Sequence, residues 1–136
     1  QGRPPEVDLA AELRLAKLLR RLAGAGILRT AHDLSEGGLA ITAAEACFGL
    51  GLGAELAVES PLELFSETQA RALAAFAPND LDRALRLAEE FGVPAREIGQ
   101  VGGSDLIFRV GGEAFAAGVD RLRTVWSEAL PRALGV

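Results

Sequence analysis

Apolar residues recur every three to four positions in several stretches of the chain, the spacing of one face of an α-helix. Residues 39–48 are rich in Ala, Ile and Leu and have the composition of a helix packed closely against a sheet. The predicted helices cover residues 6–22, 39–48, 81–91 and 119–130. Asn79 is predicted to cap the third helix and Pro131 to end the fourth. Trp126 falls in the core stripe of that last helix.

Short apolar or alternating runs lie between these helices and predict β-strands. The predicted strands cover residues 27–31, 54–59, 71–77, 98–101, 106–110 and 113–116. Gly111 and Gly112 join the last two strands as a two-residue hairpin turn, which requires positive φ at both positions. The hairpin makes at least one pair of strands antiparallel.

Because helices and strands interleave with short connections, the predicted fold class is α+β, with a mixed or antiparallel sheet and helices packed on one face. A chain of 136 residues, 49% of them hydrophobic, suffices for one domain with its own core. We expect that domain to span residues 1–136, with mobile termini and an ordered core over about residues 6–131. Because the chain begins with Gln1, we also expect it to be a piece of a longer protein.

Charge and composition exclude several classes of partner. The 14 basic against 19 acidic residues give a net charge of −5, which disfavours binding to a nucleic-acid backbone. One Cys and one His cannot form an intramolecular disulfide or a zinc cage. Residues 37–54 are apolar, but they include Glu45 and several glycines, so they are predicted as core rather than as a membrane span. No secretion signal opens the chain, and a cytoplasmic location fits best.

The most informative polar cluster lies between a predicted strand and the Ala-rich helix. It contains His32, Asp33 and Ser35, followed by the pair Gly37 and Gly38. Unpaired N–H groups at a helix N-terminus attract anions, and glycines allow a close approach, so Ser35 and the glycines are candidate phosphate ligands. His32 can donate a hydrogen bond to a phosphate or to a substrate oxygen.

The same loop also fits ordinary helix capping, in which Asp33 or Ser35 satisfies helix N–H groups and the glycines only turn the chain. A metal site built on His32 and Asp33 is disfavoured because the chain has no further His. A Ser35 nucleophile with His32 as its base is disfavoured because residues three apart in a loop rarely face each other productively.

A second polar cluster precedes the strand predicted at residues 71–77. Ser66 and Glu67 can line a pocket there, and Arg71 can pair with a phosphate or with Glu67. The alternative is a solvated turn before a strand, since such residues are common in turns.

Three segments of the chain resemble the C-terminal domain of phosphoribosylformylglycinamidine synthase. They are Ala-His-Asp-Leu-Ser-Glu-Gly-Gly-Leu-Ala at residues 31–40, Leu-Phe-Ser-Glu-Thr-Gln-Ala-Arg at 64–71 and Ile-Gly-Gln-Val at 98–101. The resemblance runs in register from Glu6 to Leu130. The chain is most similar to the last domain of the large subunit of this synthase. That domain belongs to the superfamily of aminoimidazole ribonucleotide synthetase.

The resemblance implies an ATP-dependent enzyme of purine biosynthesis. It converts formylglycinamide ribonucleotide and glutamine-derived ammonia to the amidine, with ADP and phosphate as the other products. In the family, most ATP and Mg²⁺ contacts come from an N-terminal-type domain, which this chain lacks, so we expect the chain alone to be inactive. The resemblance assigns Ser35, Gly37 and Gly38 to a phosphate and places His32 and Asp33 at the reacting centre.

The implied partners are the remaining domains of the same chain, a glutaminase subunit and a small accessory subunit. Two other hypotheses remain open. In one, the chain is a non-catalytic assembly or binding module whose acidic surface contacts a neighbouring domain. In the other, it comes from a related enzyme of the same fold, such as a kinase or selenophosphate synthetase.

Overall fold

The computed structural model of the chain describes residues 7–135, which form five α-helices and six β-strands. The helices are α1 (Leu9–Gly24), α2 (Gly38–Phe48), α3 (Pro61–Phe65), α4 (Leu81–Glu90) and α5 (Val119–Leu134). The strands are β1 (Leu28–Asp33), β2 (Ala54–Val58), β3 (Ala72–Phe76), β4 (Gly99–Val101), β5 (Asp105–Val110) and β6 (Glu113–Gly118). The expected mobility of the first residues, and a helix start at residue 6, lie outside the described residues.

Close approaches between Cα atoms divide the chain into two compact units. The first unit contains the chain up to Gly37 together with Glu67–Glu97, and the second contains Gly38–Ser66 and the chain from Ile98 onward. Each unit has its own sheet: β1 and β3 pair in the first, and four strands pair in the second. Helices and mixed sheets together confirm the α+β class.

In the first unit, α1 and α4 share a core with the start of β1. α1 begins at Asp8, whose carboxylate accepts hydrogen bonds from the Ala10 and Ala11 N–H groups at 2.9 Å, as N-cap residues do. The apolar faces predicted by helical spacing meet in this core, which is made of Leu18, Leu22, Ile27, Ala84, Leu87 and Ala88.

The predicted cap at Asn79 is wrong. Pro78–Asp80 forms a 3₁₀ turn that leads directly into α4, and the N-cap residue is Asp80. Pro78 starts this turn because its fixed φ suits the first helical position. Asn79 therefore lies inside the turn, before the helix boundary that its side chain was expected to cap.

In the second unit, the sheet has the order β4-β2-β5-β6. β2 runs parallel to β5 and antiparallel to β4, and β5 and β6 form the predicted hairpin. Gly111 and Gly112 have φ values of 56° and 93°, which confirms the positive φ expected of that turn. Alternate residues of β2 are buried, as its alternating sequence predicts.

Helix α2 is the most deeply buried helix of the second unit. Its small side chains allow the close packing that the composition predicted, and Thr42, Ala43 and Cys47 are among its buried residues. Burial raises the pKa of the Cys47 thiol and so disfavours its reactive thiolate form.

Two predictions about α5 are wrong. The helix continues through Pro131 to Leu134 and ends at Gly135, whose φ is 72°. Pro131 removes one N–H donor near the helix end, where the remaining turn tolerates the loss. Trp126 is 59% exposed rather than part of the core, although its ring packs against Phe48 with the centroids 5.6 Å apart.

Replacing Gly38 by Ala tests the packing at the start of α2. An added Cβ would lie 2.8 Å from the Leu64 carbonyl oxygen and 2.9 Å from the Phe65 carbonyl carbon, and Gly38 has a φ of 63°. We expect Gly38→Ala to lower the free energy of unfolding by about 2–4 kcal/mol through this clash and the backbone strain. Urea unfolding measures the change.

The matched control is Gly49→Ala, just beyond the other end of α2, where an added Cβ meets nothing within 4 Å. We expect this change to stay within about 0.5 kcal/mol of the parent. Equal effects of the two substitutions would contradict the packing at Gly38.

Candidate functional site

The pairing of β1 with β3 brings together those parts of the two predicted polar clusters that belong to the first unit. The strands are antiparallel, with His32 opposite Leu73 and Asp33 opposite Ala72. The Leu34 N–H extends the ladder by donating to the Arg71 carbonyl oxygen at 3.2 Å. The loop that follows β1 and the segment that precedes β3 therefore lie at the same end of this sheet.

A direct hydrogen bond joins the two clusters at Gly37 and Glu67. The Gly37 N–H donates to Oε1 of Glu67 at 2.8 Å, across 30 residues of sequence. Gly37 has a φ of 82°, a conformation that glycine adopts readily and that aims its N–H toward the second cluster. The N–H that the sequence assigned to a phosphate is thus bonded to the protein's own carboxylate, so this amide binds an anionic oxygen.

Ser35 and His32 both contact Asp33. A hydrogen bond from the Ser35 side chain is the largest cause that lowers the pKa of the Asp33 carboxyl below its usual range, and contacts with the backbone and with His32 act in the same direction. Asp33 is therefore ionised at neutral pH. The Ser35 hydroxyl, the second donor that the sequence assigned to a phosphate, is thus also hydrogen-bonded to a carboxylate, that of Asp33.

The contacts of His32 define its tautomer. Its Nδ1 lies 2.9 Å from the backbone carbonyl oxygen of Asp33 and 3.3 Å from that residue's Oδ1. Both oxygens accept hydrogen bonds, so Nδ1 carries a proton. In the neutral ring the acceptor lone pair then belongs to Nε2.

The segment from Glu67 to Arg71 is braced by contacts that the sequence did not reveal. Nη1 of Arg71 lies 3.4 Å from the Thr68 hydroxyl, at the long end of hydrogen-bond distances. The Ala70 N–H donates to Oε1 of Glu12 on α1 at 2.8 Å. Glu12 belongs to an ordinary amphipathic pattern, and no sequence signal connects it with a residue 58 positions away.

The remaining predicted site residues belong to the second unit. Gly38 is the first residue of α2 and is buried. Ser66 follows α3 as its C-cap, and its N–H donates to the Leu62 carbonyl oxygen at 2.9 Å. The second polar cluster is thus divided between the units, with Glu67 and Arg71 in the first. The sequence also missed α3, whose only signal is Pro61 at the first helical position.

Two features of residues 7–135 bear on the class of site. Among residues 7–135, no three His, Cys, Asp or Glu side chains are grouped so that they can hold a metal ion. Within the same part of the chain, no helix is both long enough and apolar enough to cross a bilayer.

Comparison with known proteins identifies the family. A family model described as AIR synthase related protein, C-terminal domain, matches residues 1–111. The phosphoribosylformylglycinamidine synthase subunit PurL of Moorella thermoacetica is 42% identical over 135 residues, which are 96% of this chain and 18% of that protein. The corresponding subunit of Thermobifida fusca is 41% identical over 138 residues, with 98% of this chain and 18% of that protein covered.

Solved structures match at the level of the fold. Thermotoga maritima PurL complexed with ATP aligns with a TM-score of 0.78 at 22% identity, covering 85% of this chain and 22% of that one. Phosphoribosylformylglycinamidine synthase II from the same organism aligns with a TM-score of 0.80 at 21% identity, covering 87% and 22%. The chain spans less than a fifth of the length of the Moorella thermoacetica and Thermobifida fusca subunits. Because the family model matches most of the chain, the chain belongs to the family of AIR synthase related protein C-terminal domains.

Proposed function

We propose that this chain is the last domain of a phosphoribosylformylglycinamidine synthase. The enzyme converts formylglycinamide ribonucleotide, ATP and glutamine-derived ammonia to formylglycinamidine ribonucleotide, ADP and phosphate. The support is the family of the chain, its identity of about two fifths with PurL subunits over nearly its whole length, and the geometry around Gly37. The enzyme works in the cytoplasm, and this domain alone does not catalyse the reaction.

The bond between Gly37 and Glu67 carries the proposal for the site. A backbone N–H that is bonded to a carboxylate oxygen at 2.8 Å is also placed to bond a phosphate oxygen. In our proposal, the phosphate of the ribonucleotide displaces Glu67 and binds the Gly37 and Gly38 N–H groups and the Ser35 hydroxyl. Substrate binding is then an exchange of one anion for another, in which phosphate offers more charge and more acceptor oxygens than the carboxylate.

His32 and Asp33 lie beside this phosphate site, and we assign them to the reacting centre. Asp33 orients the ring through Nδ1, which leaves Nε2 as the ring nitrogen with an acceptor lone pair. The depressed pKa of Asp33 keeps its negative charge next to the ring.

ATP and Mg²⁺ belong to the proposed activity. The structural neighbours include T. maritima PurL complexed with ATP and with ADP, which supports a nucleotide-dependent reaction. Following the family resemblance, we assign Mg²⁺ and most ATP contacts to an N-terminal-type domain elsewhere in the enzyme.

A second role, assembly of the longer chain, is supported by the exposed face of α5. Its apolar side chains Val125, Trp126, Leu130 and Leu134 are each 59–67% exposed. Trp126, Leu130 and Leu134 follow one another at intervals of four positions, which places them along one stripe of the helix, and Val125 adjoins Trp126. We propose that the remaining domains of the synthase cover this stripe. PurLQS from T. maritima is among the structural neighbours and supports further partners, namely a glutaminase subunit and a small accessory subunit.

Removing the Glu67 carboxylate tests the proposed anion exchange. If a phosphate displaces Glu67 from Gly37, then Glu67→Ala removes both a competitor and a like charge. We expect the Kd for inorganic phosphate, measured by calorimetric titration of the chain, to fall by about fivefold. This ratio corresponds to about 1 kcal/mol, the repulsion between two unit charges about 4 Å apart in water.

The conservative variant Glu67→Gln separates the two effects. It keeps an oxygen that accepts from Gly37 but lacks the charge, so we expect a Kd between those of the parent and Glu67→Ala. If Glu67 only caps the turn, Glu67→Ala loosens the loop and phosphate binds no more tightly. That result would contradict the exchange.

A polar substitution on α5 tests the assembly role. Leu130→Gln removes an apolar side chain that, in the longer synthase, is buried against another domain. We expect it to lower the stability of the full-length enzyme by about 1–2 kcal/mol and to leave the 136-residue chain unchanged within about 0.5 kcal/mol. The matched control is Arg121→Gln, an exposed position on the same helix, which should be neutral in both proteins. Equal effects of Leu130→Gln in the two proteins would contradict coverage of the stripe.

A further inference from the structure

Ala70 is the only non-glycine among residues 7–135 with a positive φ, which is 56°. An Ala side chain disfavours this left-handed conformation because Cβ approaches the backbone carbonyl oxygen. The chain nevertheless adopts it between Glu67, which bonds Gly37, and Arg71, whose carbonyl oxygen accepts from Leu34. Some interaction must therefore stabilise Ala70 in this conformation.

That interaction comes from α1. The Ala70 N–H donates to Oε1 of Glu12 at 2.8 Å in a partly buried setting, where a charged acceptor stabilises more than a neutral one. Glu12 lies in the first turn of α1, which is anchored by its cap at Asp8 and by its core residues Leu18 and Leu22. The helix thus provides a fixed point for a segment that is otherwise irregular.

The position of Glu67 depends on this fixed point. Only Thr68 and Gln69 separate Glu67 from Ala70, so a change in φ at Ala70 redirects the chain that carries the carboxylate. We infer that Glu12 is a positioning residue: by holding Ala70 in its left-handed conformation, it keeps Glu67 on the Gly37 N–H and so controls access of a phosphate to that donor. The link to phosphate rests on the proposed function, whereas the positioning does not.

Amide hydrogen exchange tests the positioning on the chain itself. In Glu12→Ala, we expect exchange at Ala70 and at Gly37 to accelerate by about fivefold to thirtyfold, the ratio that corresponds to the penalty of a left-handed Ala. Exchange at Leu87 in the core should not change. Glu12→Gln keeps an acceptor oxygen but loses the charge, so it should accelerate exchange at both amides less than Glu12→Ala does. Glu90→Ala, an exposed acid on α4, is the matched control and should change neither amide.

A second substitution separates strain from general destabilisation. Glycine adopts positive φ without the Ala penalty, so adding Ala70→Gly to Glu12→Ala should return exchange at Gly37 partly toward the parent rate. Exchange that accelerates at Ala70 alone, or equally at Gly37 and Leu87, would overturn the inference. In the first case Glu12 does not act on Glu67, and in the second it stabilises the whole unit.

A double-mutant cycle tests the link to phosphate. If Glu12 acts through Glu67, Glu12→Ala tightens inorganic phosphate binding when Glu67 is present and has no further effect in Glu67→Ala. Equal effects in both backgrounds would overturn that link. Failure of every variant to bind phosphate would overturn the proposed phosphate site, while the exchange rates at Gly37 would still decide whether Glu12 positions the segment.

Discussion

The antiparallel pairing of β1 with β3 is the constraint on which the candidate site depends. Backbone hydrogen bonds place Asp33 opposite Ala72 and connect Leu34 to Arg71. A shift of one residue in this register would turn every side chain of one strand to the opposite face. Leu28 and Phe76, which pack against the core formed by α1, α4 and the start of β1, lie opposite each other. The pairing shifts by one residue between Leu28 and Thr30, and it then continues without a break from Thr30 opposite Ala75 to Asp33 opposite Ala72.

The pairing creates a site whose donors are already bonded to carboxylates. Glu67 accepts from Gly37, and Ser35 donates to Asp33. In the proposed exchange, an incoming anion must displace these carboxylates before it gains its own hydrogen bonds. Phosphate is therefore expected to bind more weakly here than at a site whose donors have no protein partner.

The sequence predicted those features that depend on neighbouring residues. Helical spacing identified α1 and α4, alternation identified β2, and Gly111–Gly112 identified the hairpin. The error at Asn79 arose because Pro78 starts a 3₁₀ turn before the helix, and the error at Pro131 arose because α5 continues through this residue to Leu134. Trp126 was predicted as core because spacing identifies an apolar face but not what covers it.

The candidate site was predictable in its parts and not in its assembly. The residue types of the first cluster fitted an anion site as well as helix capping, those of the second fitted a pocket as well as a solvated turn, and the resemblance to a known family implied a phosphate. The contact between Gly37 and Glu67 depends on a strand register that spans more than 30 residues, and the contact between Glu12 and Ala70 joins residues 58 apart. Such contacts follow from tertiary packing, for which a single sequence carries no local signal.

An amide NMR titration of the chain with formylglycinamide ribonucleotide tests the central claim most directly, with inorganic phosphate and ATP as comparisons. The account predicts that the ribonucleotide shifts the amides of Ser35, Gly37 and Gly38 selectively and that the Glu67 amide shifts in parallel as its carboxylate is displaced. If those amides do not move at millimolar ribonucleotide, the phosphate does not replace Glu67 and the assignment of this site is contradicted.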